Sequence, residues 1–229
     1  MKILAVMSHP DDAECWAGGT LAKYVACGHS AHIAVMTYGE EDVRGAEALG
    51  GARRMGCTLE LLGHKDAFLR DTDSAADQVL EVLIRENPQV LIFHNPDDTH
   101  PDHEASFRIA SRALILWYVS PHRPSLIPSV FAANSYQGMG KSGPLALDTF
   151  VDITTTWDKK AHAMEAHMSQ DPESWIGAYR RAAEVLGAKQ GWGMAEGFHR
   201  LVLFNEPGKI PHLDPGNKIE VKTRHRDGG

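Results

Sequence analysis

One tetrapeptide pattern occurs twice, as His9-Pro10-Asp11-Asp12 near the start and His100-Pro101-Asp102-His103 near the middle, each where an apolar run has ended. Proline fixes its own φ and stiffens the backbone, so each copy is a rigid corner that carries a histidine and carboxylates. The acidic residues also suit the first turn of a helix. Two corners of this kind, each between a strand and a helix, constrain the chain to an α/β plan.

Ile3 to Met7 is continuously apolar, as expected of a strand buried on both faces of a parallel sheet. Asp11 and Asp12 supply N-cap chemistry for a helix to about residue 26, with Gly28 as its stop. The pattern predicts further strands over 31–37, 58–62 and 90–93, and helices over 44–55, 74–86 and 102–118. Such alternation implies a mostly parallel sheet with helices on both faces. Ligands of these sheets sit beyond the carboxyl ends of the strands, where both motifs fall. A dinucleotide site is excluded, because His-Pro-Asp-Asp stands where a glycine-rich turn would begin and Gly18-Gly19 lies inside the helix.

Beyond Ser120 the signals weaken. Pro121, Pro124 and Pro128 mark a loop, 130–133 reads as a strand, and the Gly-rich stretch 137–144 as a mobile loop. Helices are expected over 157–168 and 173–186, and a late strand over 201–204. From Asn205 onward prolines alternate with glycines and charges, which gives one domain over 1–204 and an extended or partly disordered tail over 205–229.

With 229 residues, 43% of them hydrophobic, the chain can fill one sizeable core. A formal net charge of −7 argues against an electrostatic nucleic-acid binder and favours a small neutral or polar substrate. Cys15, Cys27 and Cys57 are odd in number and lack C-x-x-C spacing, so neither a disulfide framework nor a cysteine-built zinc site is indicated. No stretch approaches the roughly 18 apolar residues of a membrane span. The short apolar start runs straight into the first motif, which a cleaved leader would discard, and the expected compartment is the cytoplasm.

His9 and Asp12, three residues apart across a strand-to-helix turn, can both face one cation, and a histidine of the second motif, for which His103 is the candidate, completes a three-ligand set. Zn²⁺ suits these donors, as do Fe²⁺ and Mn²⁺. Asp11, next to a ligand but aimed elsewhere, is placed to act as general base. A protonated His100 would stabilise the negative charge that develops on a carbonyl oxygen, with Asp102 orienting it. The set points to metal-assisted hydrolysis of an amide.

These two motifs, together with Gly18-Gly19-Thr20-Leu21-Ala22, Lys160 and His167-Met168-Ser169-Gln170, resemble the PIG-L/LmbE family of zinc-dependent de-N-acetylases over about residues 2–204. The resemblance implies a Rossmann-like domain that hydrolyses the acetamide of an N-acetylglucosamine-type amino sugar to free amine and acetate. It implies His9, Asp12 and His103 as metal ligands, Asp11 as base, His100 as electrophile held by Asp102, and Arg44 and Asp71 as substrate-binding positions. It also implies a homo-oligomer. An amidase acting on a larger N-acyl group or a thiol conjugate through the same metal site is the alternative. The chain departs from the family in Thr37-Tyr38-Gly39-Glu40, where many members have Thr-Asp-Gly-Glu, and in Asp98, where some sugar deacetylases place a tyrosine.

Of the remaining histidines, His29, His32, His64, His94, His122 and His162 are read as surface or core-edge residues, and His167 as a support. Cys15 is expected to be a buried thiol. Trp157, Trp175 and Trp192 are expected in the core, with the wall of a sugar pocket as their second reading.

Overall fold

The computed structural model describes residues 1–202, so the predicted tail over 205–229 and the end of the predicted strand over 201–204 lie outside the described residues. Strands β1 (Lys2–Met7), β2 (Ser30–Thr37), β3 (Thr58–His64), β4 (Val90–Phe93) and β5 (Ser129–Ala133) alternate with helices α1 (Asp12–Ala26), α2 (Val43–Met55), α3 (Asp73–Glu86) and α4 (Pro101–Val119). A hairpin of β6 (Met139–Gly140) and β7 (Gly143–Pro144) follows, then β8 (Thr149–Asp152), α5 (Trp157–Met164), α6 (Pro172–Gln190) and β9 (Ala195–Leu201). The main sheet runs β3-β2-β1-β4-β5-β9-β8. Its first five strands are parallel, and β9 and β8 close the edge antiparallel.

Alternation along β1 explains why its sequence is apolar without interruption. Ile3, Ala5 and Met7 pack in the layer that holds Trp16, Met55 and Trp157, whereas Leu4 and Val6 pack in the layer that holds Val79, Ile109 and Trp117. Trp117, 1% exposed, anchors that second layer; its truncation to alanine would cost about 3–5 kcal/mol. Helix ends follow local chemistry. Gly56 at φ 80° stops α2, and the Thr72 hydroxyl accepts the Ala75 N–H at 3.2 Å to start α3.

Three expectations change. The stretch 137–144, expected to be a mobile loop, is a 3-10 turn and hairpin fastened to Asp97, whose backbone oxygen accepts the Lys141 N–H at 2.8 Å and whose carboxylate accepts from Ser142 N and Oγ at 3.0 Å. Its glycines serve conformation, since Gly138 and Gly143 sit at φ 72° and 120°. The last strand begins at Ala195, six residues early, because Ala-Glu-Gly-Phe-His-Arg-Leu carries little β propensity and is held by partners on both sides. Helix α5 ends at Met164 rather than 168. Among the described residues no helix is long and apolar enough to cross a membrane.

From β1 the sheet grows through β2 and β3 on one side and through β4 and β5 on the other. The order therefore reverses between β1 and β4, and each motif lies on the segment leaving one of these two strands. That crevice is where open α/β sheets bind ligands.

Candidate active site

The two corners meet there. His9 Nδ1 lies 3.2 Å from an Asp12 carboxylate oxygen and 3.2 Å from His103 Nε2, and His103 Nε2 lies 3.3 Å from the other Asp12 oxygen. Donors about 2.0–2.1 Å from a tetrahedral zinc stand about 3.3 Å apart, the spacing of each of these pairs, with His9 and His103 meeting different oxygens of Asp12. All three side chains are buried. The triads that bring one donor atom from each residue within 4.8 Å of one another are His9 with His100 and His103, Asp12 with His94 and His103, and His9 with Asp66 and Asp102, so the three expected ligands fall in overlapping groups that share His103 or His9.

Local folding sets each donor. The first corner is closed by the His9 N–H, which donates to Asp12 Oδ2 at 2.7 Å. In the second, Asp98 accepts the His100 N–H on one oxygen at 2.9 Å and faces His103 Nδ1 with the other at 3.0 Å. With Nδ1 held by a carboxylate, His103 presents Nε2 to the centre. Behind it the His94 ring stacks at 3.8 Å and accepts the Ser8 N–H at 2.9 Å.

The electrostatics call for one positive charge at the centre. Burial opposes ionisation of Asp12, but His103 and His94 outweigh it and hold the carboxyl well below the usual range. Burial likewise disfavours the imidazolium of His103, yet Asp12 and Asp98 raise it to about 10. His94, buried and beside His103, falls to about 4 and is neutral. A divalent cation bound by the same donors would supply the charge that a proton on His103 otherwise carries.

Asp11 occupies the N-cap position of α1 but makes no side-chain cap bond. Its Oδ1 accepts from Arg44 Nη2 at 3.1 Å, and Arg44 also reaches the Tyr38 hydroxyl at 3.3 Å. Tyr38 in turn donates to Asp66 at 2.5 Å. The guanidinium is seated because α2 starts tightly against the preceding loop. A Cβ on Gly45 would lie only 1.9 Å from the Gly39 carbonyl oxygen.

Two expected roles are corrected. Asp102 does not hold His100. Its carboxylate accepts the N–H groups of Ala67 and Leu69 at 2.7 and 3.3 Å and lies 3.4 Å from His9 Nε2. His100 is instead the N-cap of α4, and its Nδ1 accepts the Asp102 N–H at 3.1 Å. Burial and the neighbouring His103 and His9 lower its pKa, which disfavours the imidazolium, and with Nδ1 accepting from the helix the proton of the neutral ring sits on Nε2. Asp71 is not brought to the site: it pairs with Arg112 of α4 at 3.4 Å on an exposed face.

Sequence reasoning missed Asp98, Asp66 and Tyr136, and it placed His94 among the residues without a role. A carboxylate a few residues before the second motif was the available signal for Asp98. Tyr136, from the turn after β5, lies over His103 with ring centroids 5.8 Å apart and nearly parallel planes. Cys15 is a buried thiol, as expected, and burial pushes its pKa well up. His167 is buried 3.4 Å from Glu14.

From Asp11 and Asp12 a cavity of about 490 Å³ extends between α1, α6 and β9. Of the three tryptophans weighed from sequence, Trp175 lines it, whereas Trp157 belongs to the core.

A mostly parallel α/β sheet with a His and Asp cluster able to hold a metal at its switch point has the make-up of a metal-dependent hydrolase. The family model described as PIG-L: GlcNAc-PI de-N-acetylase matches residues 4–114 of this chain. It is 29% identical to a 1D-myo-inositol 2-acetamido-2-deoxy-alpha-D-glucopyranoside deacetylase of Corynebacterium diphtheriae, over 74% of this chain and 76% of the relative. It is 25% identical to a 4-oxalmesaconate hydratase of Pseudomonas putida, over 73% of each. Among solved structures, the conserved protein TT1542 of Thermus thermophilus superposes with a TM-score of 0.77 at 28% identity, covering 89% of this chain and 96% of the other.

Proposed function

We propose that the protein is a zinc-dependent hydrolase that removes the N-acetyl group from an N-acetylglucosamine-type amino sugar. Water adds to the amide carbon, the carbon–nitrogen bond breaks, and the amine leaves with the proton that water gave up. Acetate is the other product. The observation that carries this reading is the triangle of His9, Asp12 and His103 donors with the Asp11 carboxylate beside it.

His9, Asp12 and His103 would hold the ion, which when bound lowers the pKa of a water to about 7 and polarises the carbonyl. Asp11 takes the proton from the attacking water and returns it to the leaving nitrogen, while the hydrogen bond from Arg44 aims the carboxylate. His100, its Nδ1 engaged by the helix, donates from Nε2 to the carbonyl oxygen as that oxygen becomes negative. Arg44 and Tyr38 offer donors to sugar hydroxyls on the same side. Three free cysteines, two of them buried, support a reducing, cytoplasmic setting.

Asp11→Asn should retain zinc and lose about 10²–10⁴-fold in turnover, whereas His103→Ala should lose both metal and turnover. Full activity in Asp11→Asn would remove the base from the mechanism. The likeness to a hydratase favours a second reading, addition of water to a carbon–carbon double bond. Acetate release from a panel of N-acetylated glycosides separates the two: no acetate from any of them, with loss of ultraviolet absorbance from an unsaturated acid, would replace the first reading by the second.

A further inference from the structure

The cavity that opens from Asp11 and Asp12 is larger and less polar than an acetyl group requires. Its volume is about 490 Å³, in the range of pockets that take drug-sized ligands. An acetyl group has three heavy atoms and displaces about 90 Å³, counting about 30 Å³ for each water it replaces. Most of the chamber would stay unfilled.

Its walls are mainly rings and small apolar side chains, with Asn134, Ser135, Gln137 and Gln170 among them. Trp16 meets Tyr136 and Tyr179 edge to face, each with centroids 5.2 Å apart, and Trp175 meets Tyr179 at 5.8 Å. Helix α6 adds Ala178, Ala182 and Leu186. The charges at the far end are already satisfied within the protein. Lys160 Nζ donates to the Cys15 carbonyl at 2.8 Å and to Glu196 at 2.7 Å. Glu196 also accepts from Gly19 N, Thr20 N and Thr20 Oγ1 at 2.9, 2.8 and 2.6 Å. That end therefore has little to offer a sugar's hydroxyls or a charged ligand.

Around the same carboxylate corner, Arg44, Tyr38 and Asp66 form a polar cluster. An N-acyl amino sugar has the same two-sided character. From this match we infer that the aromatic chamber receives the acyl group, and that the protein, besides removing acetyl, turns over N-acyl amino sugars with a larger aliphatic or aryl acyl part faster. The inference rests on the amide hydrolysis proposed above and names its acyl specificity.

The test uses the full zinc-loaded chain and N-acetyl, N-butanoyl, N-hexanoyl, N-octanoyl and N-benzoyl glucosamine, with released amine as the readout. Burial of each methylene is worth about three- to fourfold, so kcat/KM should climb by that factor per carbon up to hexanoyl. Ala178→Trp, a substitution on an exposed helix position, should compress the hexanoyl-to-acetyl ratio at least tenfold. Independently of turnover, octanoate should quench tryptophan fluorescence at concentrations where acetate does not. A flat or falling series with acetylglucosamine turned over would overturn the inference and leave deacetylation standing. No amine from any member would bring down the underlying reading and this inference with it.

Discussion

Asp98 illustrates how a single carboxylate tunes the candidate centre. It binds the His100 N–H with one oxygen and His103 Nδ1 with the other, so it sets both the turn and the tautomer of a ligand. Burial would raise its pKa, but His103 outweighs that and holds it low. Asp98→Asn preserves shape and removes the charge. Zinc affinity, measured by competition with a chromogenic chelator, should fall about 10–100-fold with the fold intact. Unaltered affinity would show that His103 needs no carboxylate behind it. The contrast with the motif residues is instructive. His9, Asp11, Asp12 and His103 were legible because a short stiff corner keeps each group near its sequence neighbours. Asp98 sits in the loop ahead of its motif, His94 reaches the site through the pairing of β1 with β4, and Tyr136 through that of β4 with β5. Asp102 was assigned to the wrong histidine because proximity in sequence does not reveal which way the first turn of a helix aims its carboxylate.

The elements position the base through one close contact. Helix α2 begins against Gly39, and the space at Gly45 allows Arg44 to reach Asp11. Gly45→Ala forces the helix start outward, so chemical denaturation should show a loss of about 1–3 kcal/mol. Turnover should fall by more than stability alone explains, since the guanidinium moves away from the base. A variant of wild-type stability and activity would mean that the loop yields without cost. The first five strands and four helices were readable because unbroken apolar runs, capping residues and stop glycines agree with one another. Helices α5 and α6 were legible too, apart from the early end of α5, whereas β8 was missed and β9 misplaced, because both lack a run of their own and depend on each other and on β5 for their pairing.

At the scale of the molecule the sheet has a reactive end and a supporting end. The reactive end lies beyond the carboxyl termini of β1 and β4. Toward the amino termini a charged network joins Lys2 to Glu86 at 2.9 Å, Arg85 to both Glu86 and Glu60, and Glu60 to His32 at 2.7 Å. This network ties β1, β2 and β3 to α3. Burial would raise the Glu60 carboxyl, but His32 and Arg85 outweigh it and keep the folded-state pKa below the ordinary value of 4.5. The sign follows from linkage: a carboxyl more acidic in the folded chain than in the unfolded one contributes stability above the unfolded pKa, and that contribution fades as pH falls through the folded value. Glu60 remains partly exposed, so solvent screening limits the contribution to about 1 kcal/mol, or a shift of about 2–4 °C in Tm. Glu60→Gln, far from the centre, should therefore melt about that much lower than wild type at pH 7 with turnover unchanged. Thermal melts repeated downward from pH 6 should show the two curves converging below about pH 4.5, because the protonated glutamate then resembles the glutamine. A gap that persists undiminished in acid would mean that Glu60 acts through shape and hydrogen bonding, and that the supporting end of the sheet is not held by charge.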